Sequence, residues 1–167
     1  SSSTRGATGD YSTAMGFNTT ASGAYSTAMG ALSTASGDGS TAMGLSTIAS
    51  GANSTAMGSS TTASDFASVV IGQYNSSGSS VTNNATSFNT ANTAFVIGNG
   101  ADSSNKSDAF KVMFNGDTTV SNDLTVSGDV VISSDARLKS NIESLGSTLS
   151  KLLQIDGKSY EMKGKQK

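Results

Sequence analysis

The pentapeptide Ser-Thr-Ala-Met-Gly recurs through the first part of this chain with a constant spacing of 14 residues. Its four copies occupy residues 12–16, 26–30, 40–44 and 54–58, and a fifth, degenerate copy occupies residues 68–72. A second half-unit, Ala-Ser-Gly, keeps the same period between them. Fourteen residues accommodate two short strands and two tight turns, whereas helical repeats need longer units. The period therefore predicts a parallel β-roll whose coils stack about 4.8 Å apart.

Side chains alternate between the two faces of a strand, so the Thr and Met of each copy share one face and the Ser and Ala share the other. We expect the Met face to fill the interior of the roll, because unbranched Met packs flexibly in a column. The Ala column is then expected to face outward at a close contact; it consists of Ala14, Ala28, Ala42 and Ala56. Glycine is expected at the corners, where the backbone needs φ > 0.

The fifth copy indicates that the outward face is covered as well. Val69, Val70 and Ile71 are consecutive there, so apolar side chains lie on both faces of one strand. A single roll of this composition buries too little apolar surface to offset about 1–2 kcal/mol of backbone entropy per residue. The sequence therefore predicts a homo-oligomer. The predicted core of the assembly comprises Met15, Met29, Met43, Met57, Val69, Val70, Ile71 and Ile97.

The unit Gly-x-x-Ser-x-Ala-Met/Ile-Gly resembles the head repeat of trimeric autotransporter adhesins (YadA-like heads), whose rolls associate three around an axis. The resemblance covers roughly residues 5–72 and returns in Phe-Val-Ile-Gly at residues 95–98. It implies an all-β fibrous fold, a left-handed parallel β-roll or solenoid assembled as a homotrimer. The chain has Thr-Ala-Met where that family usually has Val-Ala-Ile, which implies a more polar and looser interior.

Composition and charge exclude several classes of partner. Ten Lys and Arg against 12 Asp and Glu give a net charge of −2, which disfavours nucleic acid or an anionic membrane as the main partner. The chain has no Cys and no His, so disulfides and the usual transition-metal sites are not expected, and we expect no metal and no cofactor. It has no run of about 18 apolar residues, so no membrane insertion by this segment is expected.

The regular period is interrupted after residue 72, since Ile71 and Ile97 are 26 residues apart. Residues 73–106 are predicted to contain an irregular insertion and a last coil. Inserted loops often carry binding, and Tyr74 and Phe88 are the candidate binding residues of this one. A polar spacer without a ligand is the alternative.

From residue 107 to 134 short apolar runs alternate with turn signals such as Asn115-Gly116-Asp117. Strands are expected around residues 110–114 and 119–120, and further short strands at residues 124–126 and 130–132. This neck is similar to the β-prism stems of phage tail fibres, which close their sheet edges as trimers.

Residues 134–142, Ser-Asp-Ala-Arg-Leu-Lys-Ser-Asn-Ile, resemble the start of the intramolecular chaperone domain of endosialidase-type phage tailspikes and tail fibres. The resemblance implies an autoproteolytic junction between Ser134 and Asp135, with Ser134 as nucleophile and Lys139 as its base. A lysine can serve as base where burial lowers its pKa. The alternative is that Ser134 and Asp135 cap a turn, and that residues 135–167 are retained as a folding or trimerisation element.

Within that chaperone-like cap, leucines predict one apolar face of a helix; they are Leu145, Leu149, Leu152 and Leu153. Residues 160–162 are expected to form a last short strand. The charge also changes sign near Ser134, from three basic and eight acidic residues in 1–134 to seven basic and four acidic in 135–167.

The sequence thus predicts four segments: head repeats in 1–72, an insertion with a last coil in 73–106, a β-rich neck in 107–134 and a chaperone-like element in 135–167. The predicted function is that of an extracellular homotrimeric fibre or adhesin, on a bacterial surface or a virion tail fibre, which presents a binding surface to a host, prey or glycan receptor.

Two alternatives remain. One is a self-cleaving maturation module, and the other is an ice-binding solenoid, suggested by the threonine column Thr13, Thr27, Thr41 and Thr55. A glycan hydrolase is disfavoured, because the acidic residues before Ser134 are isolated and that chemistry needs paired carboxylates.

Overall fold

The computed structural model describes residues 5–129, in which every regular element is a β-strand. Six longer strands belong to successive coils: β2 (Thr13–Phe17), β4 (Thr27–Ala31), β6 (Thr41–Leu45), β8 (Thr55–Ser59), β10 (Val69–Gln73) and β11 (Thr93–Asn99). Five two-residue strands alternate with them: β1 (Gly6–Ala7), β3 (Thr20–Ala21), β5 (Thr34–Ala35), β7 (Ile48–Ala49) and β9 (Thr62–Ala63). A hairpin of β12 (Asp108–Met113) and β13 (Thr118–Val120) follows. Within residues 5–129 there is no helix that could cross a membrane.

From β1 to β10 the strands of each sheet stack in parallel, each displaced by one 14-residue repeat from the next, and β11 pairs in parallel with β10 at an offset of 26 residues. Thr27 pairs with Thr13 on one side and with Thr41 on the other. The longer strands and the hairpin form an eight-stranded sheet with the order β13-β12-β11-β10-β8-β6-β4-β2, which we call the long sheet. The two-residue strands form the short sheet, with the order β1-β3-β5-β7-β9. The predicted parallel β-solenoid is therefore confirmed.

The interior of the roll is lined by small side chains and not by methionine. Met15 is 58% exposed, and Met29, Met43 and Met57 lie half-buried on the outer face. The completely buried alanines are Ala21, Ala28, Ala35, Ala42, Ala49, Ala56 and Ala63. The expectation that Met fills the roll while Ala faces outward is therefore wrong.

Small side chains line the interior because a 14-residue coil has a small circumference. The two sheets therefore lie so close together that Ala, Ser and Thr fill the space between them. Several of the buried hydroxyls find partners nearby: Ser26 Oγ donates to the Gly23 carbonyl at 2.7 Å, and Thr47 Oγ1 donates to Ser33 Oγ at 2.9 Å. Larger side chains occupy the interior at the C-terminal end of the roll, where Val70 and Val96 are completely buried. Strand alternation groups the residues of each face correctly, but side-chain size is a misleading guide to which face points inward.

Each coil turns at two corners that use left-handed backbone conformations, seven residues apart. One column has φ between 54° and 65° and comprises Tyr11, Tyr25, Gly39, Asn53 and Ala67. The other has φ between 42° and 58° and comprises Asn18, Leu32, Ser46, Ser60 and Tyr74. Among these ten positions glycine occurs only at Gly39. A repeated glycine column just before the second corner also has positive φ, between 94° and 127°; it comprises Gly16, Gly30, Gly44, Gly58 and Gly72. The expectation that glycine supplies positive φ is therefore confirmed for that column and wrong for the other nine corner positions.

The repeated glycines are also required by close stacking of the coils. A Cβ on Gly44 would lie 2.1 Å from the carbonyl oxygen of Gly58, and a Cβ on Gly37 would lie 2.1 Å from that of Gly51. Real Cβ atoms do not approach backbone oxygens so closely, so both glycine columns are fixed by the distance between successive coils.

Residues 74–92 form an irregular segment that caps the upper edge of the short sheet. The buried side chain of Asn75 accepts from Thr62 N at 2.8 Å and donates to Thr62 O at 2.9 Å. Ser64 N donates to the Gly78 carbonyl at 2.9 Å. The amide of Asn75 thus takes the hydrogen bonds that another strand would make, which blunts an otherwise open edge.

The hairpin extends the long sheet beyond the roll. β12 runs antiparallel to β11, and β13 runs antiparallel to β12 around the turn at residues 115–117, as the sequence predicts. Residues 124–126, also expected to be a strand, are not in one, and Leu124 is 72% exposed.

The chain divides after Thr125 into two compact units, and only residues 126–129 of the second are described. The strand predicted at 130–132, the helix around 145–153 and the strand at 160–162 lie outside the described residues.

Candidate binding and assembly surfaces

The outer face of the long sheet carries an unbroken row of apolar side chains. Pairing between neighbouring strands places one apolar residue of each strand in a single row, which we call the apolar ladder: Met15, Met29, Met43, Met57, Ile71, Ile97, Phe110 and Val120. All eight are partly or largely exposed. Val69, Phe95 and Val112 form a shorter row beside the ladder at its upper end. The ring centroids of Phe95 and Phe110 lie 6.2 Å apart in an edge-to-face contact.

Six of the eight residues predicted as an assembly core belong to this ladder, and Val69 lies next to it. Val70 is the exception, because its side chain is completely buried inside its own roll. Phe110 and Val120 extend the ladder into the hairpin, which sequence reasoning missed because these strands leave the 14-residue period. Alternating apolar residues in residues 110–120 were the available signal.

A polar groove lies on the opposite face of the long sheet, above the end of the roll. Lys111 pairs with Val96 across β11 and β12, so its side chain lies on the sheet face that lines the roll interior lower down. The groove is lined among others by Ser76, Ser77, Lys106, Asp108 and Lys111, and its volume is about 370 Å³. An adjoining cleft of about 340 Å³ shares Ser76, Ser77 and Lys111.

Hydrogen bonds hold one wall of this groove in place. The Asp108 carboxylate accepts from the backbone N–H groups of Ser76 and Ser77, both at 2.8 Å. Lys106 and Lys111 form no ion pair within residues 5–129. They are also the only lysines before Lys139. Two lysines close together in an otherwise acidic stretch are a sequence signal for an anion site, which the sequence analysis missed.

The two aromatic residues predicted to bind a ligand lie in different surroundings. Tyr74 occupies a corner with φ of 42°, where its carbonyl accepts from Ser107 N at 3.1 Å. Phe88 is 61% exposed, and its ring contacts Phe114 edge to face with centroids 5.3 Å apart. Neither lines the groove or its adjoining cleft. Their contacts support roles in holding the 74–92 segment, and a ligand role for them stays a prediction.

Two further surface features have local explanations. The rings of Tyr11 and Tyr25 stack in parallel with centroids 5.3 Å apart, because their corners lie in adjacent coils. Asp102 has a pKa below its ordinary value, because the Asn105 side chain and the backbone amides of Ser104 and Asn105 donate to its carboxylate. Both features stabilise the turns in which they occur.

The residues predicted for self-cleavage, Ser134, Asp135 and Lys139, lie outside the described residues. Their roles stay a prediction from the sequence.

Comparison with known families assigns both ends of the chain. The family model described as YadA head domain repeat (2 copies) matches four overlapping stretches, residues 7–33, 21–47, 35–61 and 49–75. The model described as Chaperone of endosialidase matches residues 134–167. No curated protein and no solved structure gives a significant match. The chain therefore combines YadA-type head repeats, in residues 7–75, with an endosialidase-type chaperone sequence in residues 134–167.

Proposed function

We propose that this chain is a segment of an extracellular homotrimeric fibre that presents a binding surface, and that three copies associate through the apolar ladder. The observation that carries the proposal is the continuity of the ladder, which crosses all eight strands of the long sheet without a charged residue. Exposed apolar surface of this extent and regularity is typical of protein interfaces.

Energetics supports the same conclusion. The interior of each roll consists of Ala, Ser and Thr, whose burial releases little free energy compared with larger apolar residues. Burial of the ladder Met, Ile and Phe side chains between chains would add about 25 cal/mol for each Å² removed from water. Association is thus the step that offsets the entropy of ordering a long, thin roll.

Residues 134–167 fit this function as a chaperone element that brings three chains together in register. The match to an endosialidase chaperone sequence supports that role. Virion tail fibres and bacterial surface adhesins both accommodate such a combination, and in either setting the roll acts as a scaffold that carries receptor-binding surfaces.

The absence of cysteine from the chain makes the assembly directly testable. Light scattering should give three times the chain mass of 16.6 kDa. A single cysteine at the Met43 position should be joined between chains by a short bifunctional thiol reagent, because the ladder lies at the interface. The control is Thr34→Cys, on the outer face of the short sheet, which should stay uncrosslinked.

A monomeric mass for the purified chain would refute the trimer. Equal crosslinking at both cysteines would refute the ladder as the interface. Met43→Glu complements this experiment, since a charge at the interface should lower the trimer fraction while Thr34→Glu should not.

Self-cleavage is a second candidate activity, favoured by the start of the chaperone match at Ser134. In this proposal the Ser134 hydroxyl adds to the carbonyl carbon of the Ser134–Asp135 bond, and Lys139 accepts the hydroxyl proton. The peptide C–N bond then breaks, the Asp135 nitrogen leaves as an amine with the proton from Lys139, and water hydrolyses the resulting ester to a free carboxylate at residue 134. Mass spectrometry of the incubated protein should then find a fragment ending at residue 134, and Ser134→Ala should abolish it. A full-length wild-type mass after prolonged incubation of the assembled protein would refute cleavage.

A further inference from the structure

The polar groove around Lys106 and Lys111 is the feature that the scaffold function leaves unused. It lies at the point where the inner row of the long sheet changes from apolar to polar side chains. That row runs through Ala14, Ala28, Ala42, Ala56, Val70 and Val96, and then continues as Lys111 and Thr119. Within the roll this face of the long sheet lines the core. Beyond the end of the roll the same face is a solvent-accessible, cationic surface.

The charge of this surface contrasts with that of the rest of the roll. Residues 5–129 contain three basic residues and eight aspartates, and two of the three basic residues line this one groove. The one carboxylate in the lining, Asp108, accepts hydrogen bonds from two backbone amides of the opposite wall. The two ammonium groups form no ion pair within the described residues, so they can neutralise an anion.

The remaining lining selects the kind of anion. Hydroxyl and amide side chains dominate it, including Ser76, Ser77, Asn99 and Thr119, and none of the described residues that line it is aromatic. Such a surface offers hydrogen bonds to a ligand rich in hydroxyl groups and little to an apolar one. Two adjoining clefts of about 370 and 340 Å³ each fall within the size range of small-ligand sites.

We propose that this groove binds an acidic sugar, with Lys106 and Lys111 pairing with its carboxylate or sulfate and the Ser and Thr hydroxyls contacting its ring. This inference rests on the proposed function, since it names the receptor class that the fibre presents a site for. Lys111 lies on the sheet face opposite to the apolar ladder, because Phe110 and Val112, its neighbours in β12, pair with the outward Ile97 and Phe95. Association through the ladder leaves the groove open.

The experiment titrates the purified full chain with 3′-sialyllactose, with 3′-sulfated lactose and with lactose as the neutral control, followed by ligand-observed NMR and calorimetry. At least one acidic sugar should bind and lactose should not, and binding should weaken as salt is raised. The double variant Lys106→Gln, Lys111→Gln should lower the affinity about tenfold or more, since both charge-assisted contacts are removed.

The matched control is Arg5→Gln, which removes one positive charge before β1, at the other end of the roll from the hairpin. It should leave sugar affinity within about twofold of wild type. Absence of binding by both acidic sugars, or an equal loss in the Arg5 variant, would overturn the inference.

Light scattering on the same samples separates this result from the proposed assembly. A trimer that fails to bind either sugar refutes the groove and leaves the fibre intact. Loss of the trimer in the lysine variant, without sugar binding in wild type, would mean that the groove binds a second copy, which also overturns the inference.

Discussion

The carboxylate of Asp65 accepts a hydrogen bond from the backbone N–H of Thr93 at 2.8 Å, and so joins the fifth coil to the strand that follows the insertion. Its other oxygen accepts from Thr82 N at 2.6 Å, and the side chain is completely buried. Asp65 occupies the position that Gly23, Gly37 and Gly51 hold in earlier coils. The fifth coil therefore has Asp65 in place of the repeated glycine, and Asp65 anchors the 74–92 segment that ends the short sheet.

Asp65→Ala should lower the free energy of unfolding by about 2–4 kcal/mol, because it leaves two backbone N–H groups without their acceptor. Denaturant unfolding at fixed protein concentration measures the loss, and hydrogen exchange at Thr93 should speed up. Asp38→Ala is the control, since Asp38 is exposed and accepts one bond, from Ala24 N at 3.0 Å. Equal losses in the two variants would contradict an anchoring role for Asp65.

The repeat shows how much of this fold the sequence can predict. The 14-residue spacing predicts the strand positions and the parallel pairing, because each coil repeats the same local pattern as the one below it. It does not predict which face lies inside, because that depends on the distance between the two sheets. Met is the larger and more apolar residue, so composition favours Met inside, whereas the coil has room only for Ala.

The candidate groove was harder to predict for a different reason. Ser76 and Lys111 lie 35 residues apart and meet only because the 74–92 segment folds back under the hairpin. No periodic pattern connects them. Their proximity follows from Asp108, whose two hydrogen bonds to the 76–77 backbone cross the same gap, and such long-range polar contacts leave no mark on the local sequence.

The stacking of glycines predicts a strong and position-specific effect of a single methyl group. Gly44→Ala should destabilise the chain by about 2–5 kcal/mol, because the new Cβ meets the Gly58 carbonyl and the backbone has φ of 127°. Gly116→Ala, with φ of 93° and no atom near the new Cβ, should cost only the backbone strain of about 1–2 kcal/mol.

Gly128→Ala has open space around the new Cβ and no strained φ, so it should be close to neutral. Thermal unfolding of the three variants at one concentration gives the order. If Gly44→Ala were no worse than Gly116→Ala, close stacking would not be the reason for the repeated glycines.

Two equivalent serines in adjacent coils should respond in opposite ways to loss of the hydroxyl. Ser40 Oγ is buried without a hydrogen-bond partner in the described part of the chain, whereas Ser26 Oγ donates to the Gly23 carbonyl at 2.7 Å. Ser40→Ala should leave the stability unchanged or raise it by about 1 kcal/mol, since an unsatisfied polar group is removed. Ser26→Ala should lower it by about 1 kcal/mol. Equal losses at both positions, measured by denaturant unfolding, would contradict this difference in pairing.

The left-handed corners offer a route to a more stable roll. Leu32 has φ of 58° and is 48% exposed, while Asn18 holds the same corner one coil earlier with φ of 54°. A branched apolar residue in this conformation costs about 1–2 kcal/mol, and asparagine tolerates it better because its short polar side chain bonds locally. Leu32→Asn should therefore raise the free energy of unfolding by about 0.5–1 kcal/mol.

Leu45→Asn is the matched control, since Leu45 is 51% exposed and belongs to β6 without a positive φ. It should give no gain, and a gain of equal size there would show that reduced surface apolarity, and not relief of backbone strain, stabilises the Leu32 variant.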